Sequence, residues 1–404
     1  MEGMIRDYQP YWDLYGKGHP HILFYENTLI DNFYTFFLIA VFYLSIFLIF
    51  KKSNLFRAYF LYSYHTIFSA IFILYVSINV NDADTFYRYS QFPYFFEEGI
   101  KIFRVGSSTI SNIISFFNIF LNISFLNWNI IFGFLGFIGL CLIDITIQNI
   151  IKEEKKITKI FFTILLLIPS FHFYSSGVGK EALTVFSIGT FIFALKFNKK
   201  YLIFFALIIM LFTRVHIFVI LMFCYLINIF LQLNLSIKLK IIISFISSII
   251  FLIISSKIIA GEFFSIELLD KFYSFSELQR GYLKNFRTWY DTEDFNTIQL
   301  MIYFLFYPLI LNDFSSIIDL VVVFENYLLL FVLISLFYQL FKKIRDIRII
   351  KNLAFYLLFS SLTIFLLSHF ITVYGIILRQ KWIFIPVLLI LLAELISLKN
   401  KKVR

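Results

Sequence analysis

The sequence predicts an all-α protein: a polytopic transmembrane bundle of about eleven spans, with interfacial or re-entrant helices in its outer loops. Three observations predict it. Sixty per cent of the residues are hydrophobic and only 15% are charged, against about 25% charged in a soluble domain. Apolar runs long enough to cross a bilayer recur along the whole chain, too many to be buried cores, and a helix is the segment that satisfies its own backbone in lipid. Basic residues cluster between the runs in an alternating pattern, as short cytoplasmic loops do.

Taken in order, residues 1–32 are polar, with Trp12, two prolines and scattered charges, and show no cleavable signal peptide. They are expected to lie outside, ahead of a single transmembrane domain over 33–404. The predicted spans are 33–50, 58–80, 128–149, 160–175, 181–196, 201–213, 217–234, 241–260, 320–341, 353–371 and 382–398. Several are shorter than a full crossing, notably around Arg214, and require a thinned membrane or a water-filled vestibule.

Charge sets the orientation. Clusters such as Lys152, Lys155, Lys156, Lys159 and Lys342, Lys343, Arg345, Arg348, Lys351 gather 21 basic residues with 5 acidic ones on one side, net +16. The other side holds 14 bases and 20 acids, net −6. The basic side is cytoplasmic, with the N-terminus outside and the C-terminus inside. The net +10 is therefore a membrane signature and not a nucleic-acid one. Two outer segments are long. Residues 81–127 hold two stretches, Phe86–Arg104 and Ser107–Phe125, at helical spacing. Residues 261–319 hold the largest polar loop and then an apolar stretch, Met301–Leu311, too short to cross. The 57 Phe and 25 Tyr reflect AT-rich coding more than function. Cys141 and Cys224 lie inside apolar runs and read as small core hydrophobes.

The outer ends of the spans carry residues that are costly near lipid: Asp82, Asp84, Tyr87, His172, Lys180, Glu181, Arg214, His216, Asp319, Glu325, His369, Arg379 and Lys381. Such groups line a polar cavity or pair together. Arg214 sits in the turn of a tight apolar hairpin; a snorkelling helix-end arginine is the plain reading, and a phosphate contact the sharper one. With Lys180, Arg379 and Lys381 it is expected to form a cationic pocket for a pyrophosphate. Ser175-Ser-Gly-Val-Gly-Lys180-Glu181 opens a helix and lets backbone approach an anion, although Glu181 also suits the helix dipole. Asp82 and Asp84 are a carboxylate pair suited to accepting a hydroxyl proton or to capping a helix. Glu325, a turn inside an apolar helix, is a second candidate base. His216, Tyr87 and Glu181 are candidate substrate contacts. The histidines lack metal-ligand spacing, so no metal is expected.

These segments resemble a known family. The Asp82–Asp84 stretch, Pro169 through Tyr174-Ser-Ser-Gly-Val-Gly-Lys-Glu-Ala-Leu183, Arg214-Val-His216, Phe324-Glu-Asn326 and Leu378-Arg-Gln-Lys381 are similar to bacterial polysaccharide polymerases, the O-antigen polymerase (Wzy) and EpsG-like membrane proteins. The resemblance runs from about Asp82 to Pro386. It implies a GT-C-like glycosyltransferase in the bacterial cytoplasmic (inner) membrane, with its active face outward. Such an enzyme moves glycan from an undecaprenyl-diphosphate-linked donor to a lipid-linked acceptor. It needs no cofactor, and its arginines grip the diphosphate. Arg280 and Arg287 in the outer loop would handle glycan. The implied partners are the polyprenyl-diphosphate-linked oligosaccharide, membrane lipid, and other glycan-assembly proteins such as a flippase and a chain-length regulator. The rival readings are a lipid-linked oligosaccharide flippase, which should show related halves and a passage open to both sides, and another outer-leaflet transferase or ligase.

Overall fold

The computed structural model describes residues 29–50, 52–79, 82–90, 106–233, 291–292, 294–308, 317–343 and 346–401. Every regular element among them is helical: α1 (Leu29–Ile49), α2 (Lys52–Ile78), α3 (Asp82–Ser90), α4 (Ser107–Leu121), α5 (Phe125–Ile150), α6 (Lys156–Leu166), α7 (Pro169–Ser175), α8 (Lys180–Lys196), α9 (Lys200–Thr213), α10 (Val215–Gln232), α11 (Thr297–Phe306), α12 (Ile317–Lys343), α13 (Ile347–Phe370), α14 (Tyr374–Gln380), a 3-10 turn (Lys381–Ile383) and α15 (Ile385–Lys401). Residues 1–28 of the expected N-terminal segment, the span at 241–260, and Arg280 and Arg287 lie outside the described residues, and residues 29–32 begin α1.

Among the described residues, six helices are long and apolar enough to cross a membrane, within α1, α2, α5, α10, α12 and α13. The number rises to eight if each of two bent pairs is one span: α6 with α7, bent by 44°, and α14 through α15, bent by 42°. The expected crossings at 181–196 and 201–213 fall on α8 and α9, of 17 and 14 residues, which are short of a bilayer's width. The expected helix over 107–125 is α4. Of the stretch over 86–104, only its start is described, as the end of α3. The segment after the large loop is α11, begun by a reciprocal cap between Asn296 and Gln299.

The chain divides into two compact units, one formed by Met1–Ile138 and His172–Leu183, the other by Gly139–Phe171 and Thr184–Arg404. In the first, α1 leans on α2 and α3 on α4, while α5 presents glycines to the 172–183 segment. A Cβ on Gly133 would stand 2.6 Å from the Ser176 carbonyl oxygen, and one on Gly136 closer still to that of Ser175. Small residues let membrane helices approach in this way.

In the second unit α15 is buried almost all round, from Ile385 to Leu395, the mark of a central helix. It touches α12 and α13, and α13 also touches α10 and α11. The helices share one basic end. Lys196, closing α8, pairs with Glu394 of α15 at 2.5 Å, and Lys343, closing α12, donates to the Leu395 carbonyl. Asn198, in a left-handed conformation, turns the chain from α8 into α9, and the Lys199 amide donates back to Ala194, a common helix ending. Lys200 therefore starts α9 from that same end.

Candidate functional site

In the second unit, two helix breaks and one continuous helix build a buried polar cluster. The first break is at Leu167–Ile168, where Pro169 begins α7, a position at which its missing N–H is harmless. The second is the 3-10 turn at Lys381–Ile383. Between them passes α12, carrying Glu325 and Asn326. Ser170 donates to Glu325 twice: its backbone amide to Oε1 at 2.9 Å and its hydroxyl to Oε2 at 2.5 Å. Trp382 Nε1 donates to Ser170 Oγ at 3.1 Å, and the indole is stacked on Phe171, centroids 4.2 Å apart. On the other side Lys381 Nζ donates to Asn326 Oδ1 at 2.7 Å. The Asn326 amide donates in turn to the Phe306 and Pro308 carbonyls, which fixes which way its oxygen points.

Glu325, Lys381 and Asn326 are 8%, 4% and 2% exposed, so water reaches them barely or not at all from outside. They line, with Ser170, Trp382 and aliphatic side chains such as Leu165, Leu329 and Leu378, a cavity of about 20 Å³. Glu325 and Lys381 act on one another electrostatically. A buried carboxylate that receives two donors, facing a buried ammonium, is an arrangement that can take a proton and orient a small polar group.

The other expected site residues are placed as follows. Arg214 is the single non-helical residue between α9 and α10; it is 5% exposed, and its Nε donates to Thr184 Oγ1 at 3.1 Å. Arg379 is half-buried in the last turn of α14, and neither arginine is a wall of the Glu325 cavity. His216, next to Arg214, is exposed. The structure thus brings Glu325 and Lys381 together and leaves both arginines outside that cluster. His369 is buried and bonded to the Phe365 carbonyl at 2.7 Å.

The remaining candidates lie in the first unit. Asp82 and Asp84 occupy the first turn of α3, the helix-start role. Asp84 is tied to Arg88 at 2.6 Å, one turn on. Burial pushes its carboxyl up from the ordinary value, and the hydrogen bond and charge of Arg88 pull it back. The Tyr87 hydroxyl donates to the Ile123 carbonyl at 3.4 Å and its ring meets Phe125 edge-on. Lys180 and Glu181 form the first turn of α8, both half-buried. Of the two glycines before them, Gly177 is a close-packing residue. A Cβ on Gly177 would strike the Phe72 ring and stand 2.7 Å from Asn129 Oδ1, and that same oxygen accepts from the Val178 amide at 2.9 Å.

Sequence reasoning missed a second buried pair. His65, inside α2, and His172 meet Nδ1 to Nδ1 at 3.1 Å, and His65 Nε2 lies 3.0 Å from the Gly133 carbonyl oxygen. That carbonyl can only accept, so His65 carries hydrogen on Nε2. With both rings neutral, His65 Nδ1 then accepts from Nδ1–H of His172. An ionisable residue in the middle of an apolar run was the available signal for His65. For Ser170 and Trp382 no local signal existed. Among the described residues, no three His, Cys, Asp or Glu side chains are placed to hold a metal ion. No family model, curated protein or solved structure matches the chain.

Proposed function

We propose that this chain is a polymerase of surface polysaccharide repeat units. It transfers glycan from an undecaprenyl-diphosphate-linked donor to a lipid-linked acceptor at the outer face of a bacterial cytoplasmic membrane, and crosses that membrane eleven times. One observation carries the reading: Arg214, Glu325 and Lys381, ionisable side chains from separate apolar stretches of the second unit, are all buried, where such groups are costly unless they serve a polar site. A buried guanidinium matches phosphate, and a nearby carboxylate suits a hydroxyl proton.

In this reading Arg214 and Arg379 of the second unit stabilise the departing diphosphate, and Glu325 of the same unit serves as the base, since Arg88 already holds Asp84. The test is the surface glycan of cells carrying Arg214→Ala or Arg379→Ala, resolved by gel. The ladder should collapse to single repeats while the protein still accumulates in the membrane. Unchanged ladders in both variants overturn the assignment, and loss of even the single repeat points to a flippase or ligase instead.

A further inference from the structure

Lys381 has three N–H donors, and one of them is accepted by the protein, at Asn326. Among the described residues no carboxylate lies within ion-pair distance of it, and at 4% exposure bulk water does not serve it. Two buried donors of an ammonium therefore look for acceptors, a costly state unless something fills the space beside them. That space is the 20 Å³ cavity, with the Glu325 carboxylate as another wall. Its size admits one water or hydroxyl group. A diphosphate is too large for it and would also meet the Glu325 charge, which Ser170 holds in place from two directions.

We propose that this cavity is a hydroxyl site: an incoming oxygen accepts from Lys381 Nζ, and its hydrogen is given to Glu325. Water occupies it at rest and makes the same two bonds. Resting on the polymerase reading, the hydroxyl is that of the acceptor sugar, whose ring stays outside. As the acceptor oxygen bonds to the anomeric carbon of the donor, the bond from that carbon to the diphosphate breaks. Its electron pair leaves with undecaprenyl diphosphate, and the hydroxyl proton passes to the Glu325 carboxylate. Lys381 is thereby removed from the diphosphate grip. Ser170 and Trp382 are positioning residues, acting through Glu325.

Two measurements test this on the purified full-length protein. The first is binding of undecaprenyl diphosphate. Arg214→Ala should weaken it about 10-fold or more, the loss of one charge-assisted contact, whereas Lys381→Met should leave it within about 2-fold. Because removing one buried charge can unfold a protein, the double variant Glu325→Gln/Lys381→Met, which removes both, is measured beside it. If the Lys381 variants lose as much affinity as Arg214→Ala, Lys381 grips diphosphate and the proposal is overturned. The second is an experimental density map that resolves solvent. A single water-sized feature within hydrogen-bond distance of Lys381 Nζ and Glu325 is expected. A dry cavity, or one closed by a direct Lys381–Glu325 ion pair, overturns the hydroxyl site. A bound water together with wild-type ladders in Arg214→Ala and Arg379→Ala keeps the site and removes the polymerase reading.

Discussion

The two histidines of the first unit and the Glu325–Lys381 couple of the second are both buried, and their hydrogen bonds differ. His65 and His172 use each other and a backbone carbonyl, with helices so close that Gly133 and Gly136 are needed to admit them. Lys381 has one acceptor among the described residues, Asn326, and borders a cavity. Burial of an ionisable side chain is therefore a poor indicator of a working site. What separates the two clusters is the balance of donors and acceptors left over after packing.

Four substitutions test that contrast, from the largest effect to the smallest. Lys381→Met alone strands the Glu325 charge and should cost about 3–5 kcal/mol, most of it regained in the double variant with Glu325→Gln. Thermal melting in detergent reads both, and equal melting of the single and double variants would show that the charges are uncoupled. Gly136→Val drives a side chain into the Ser175 carbonyl and should cost about 3 kcal/mol, seen as loss of folded protein in the membrane fraction. A Gly136→Val protein as stable as the parent would mean that α5 and the 172–183 segment are not in close contact. His172→Ala leaves the inward nitrogen of His65 without its partner and opens a void; about 1–3 kcal/mol is expected. The glycan ladder should survive in whatever protein still folds, and a lost ladder would make the pair functional.

The mildest case is Asp84. Its carboxyl titrates higher in the folded protein than in the unfolded chain, so this site's contribution is fully present below the ordinary carboxylate value and is lost as pH rises through the raised one. Asp84→Asn should therefore melt slightly higher than the parent at about pH 8 and lose that advantage below about pH 4. The missing Arg88 partner takes back about 0.3–0.5 kcal/mol. A variant destabilised at the higher pH would show that the ion pair outweighs burial.

The helical class was legible because apolar runs of bilayer length have few other meanings, and α1, α2, α5, α10, α12 and α13 lie where those runs lie. Glu325 was legible for the same reason, as a carboxylate where none is cheap. Its partners were not. Ser170 and Trp382 come from 155 residues upstream and 57 downstream, and neither is unusual in its own surroundings. The glycine run Gly133-Phe-Leu-Gly136-Phe-Ile-Gly139 carried a readable three-residue spacing, yet which backbone it would meet depended on a segment some 40 residues later. Lys381 was read as an anion grip from charge alone, because sequence shows the ammonium and not the neighbouring carboxylate.

Two of the three walls around Glu325 belong to helices that change direction there, at Leu167–Ile168 and at Lys381–Ile383. A rigid rod can make room only by being displaced along its full length. A rod already cracked at the point of interest can alter its angle locally, while the far portion stays anchored by contacts such as Lys196 with Glu394. Two bends thus border the cavity, while the Lys196–Glu394 pair ties α15 at its other end.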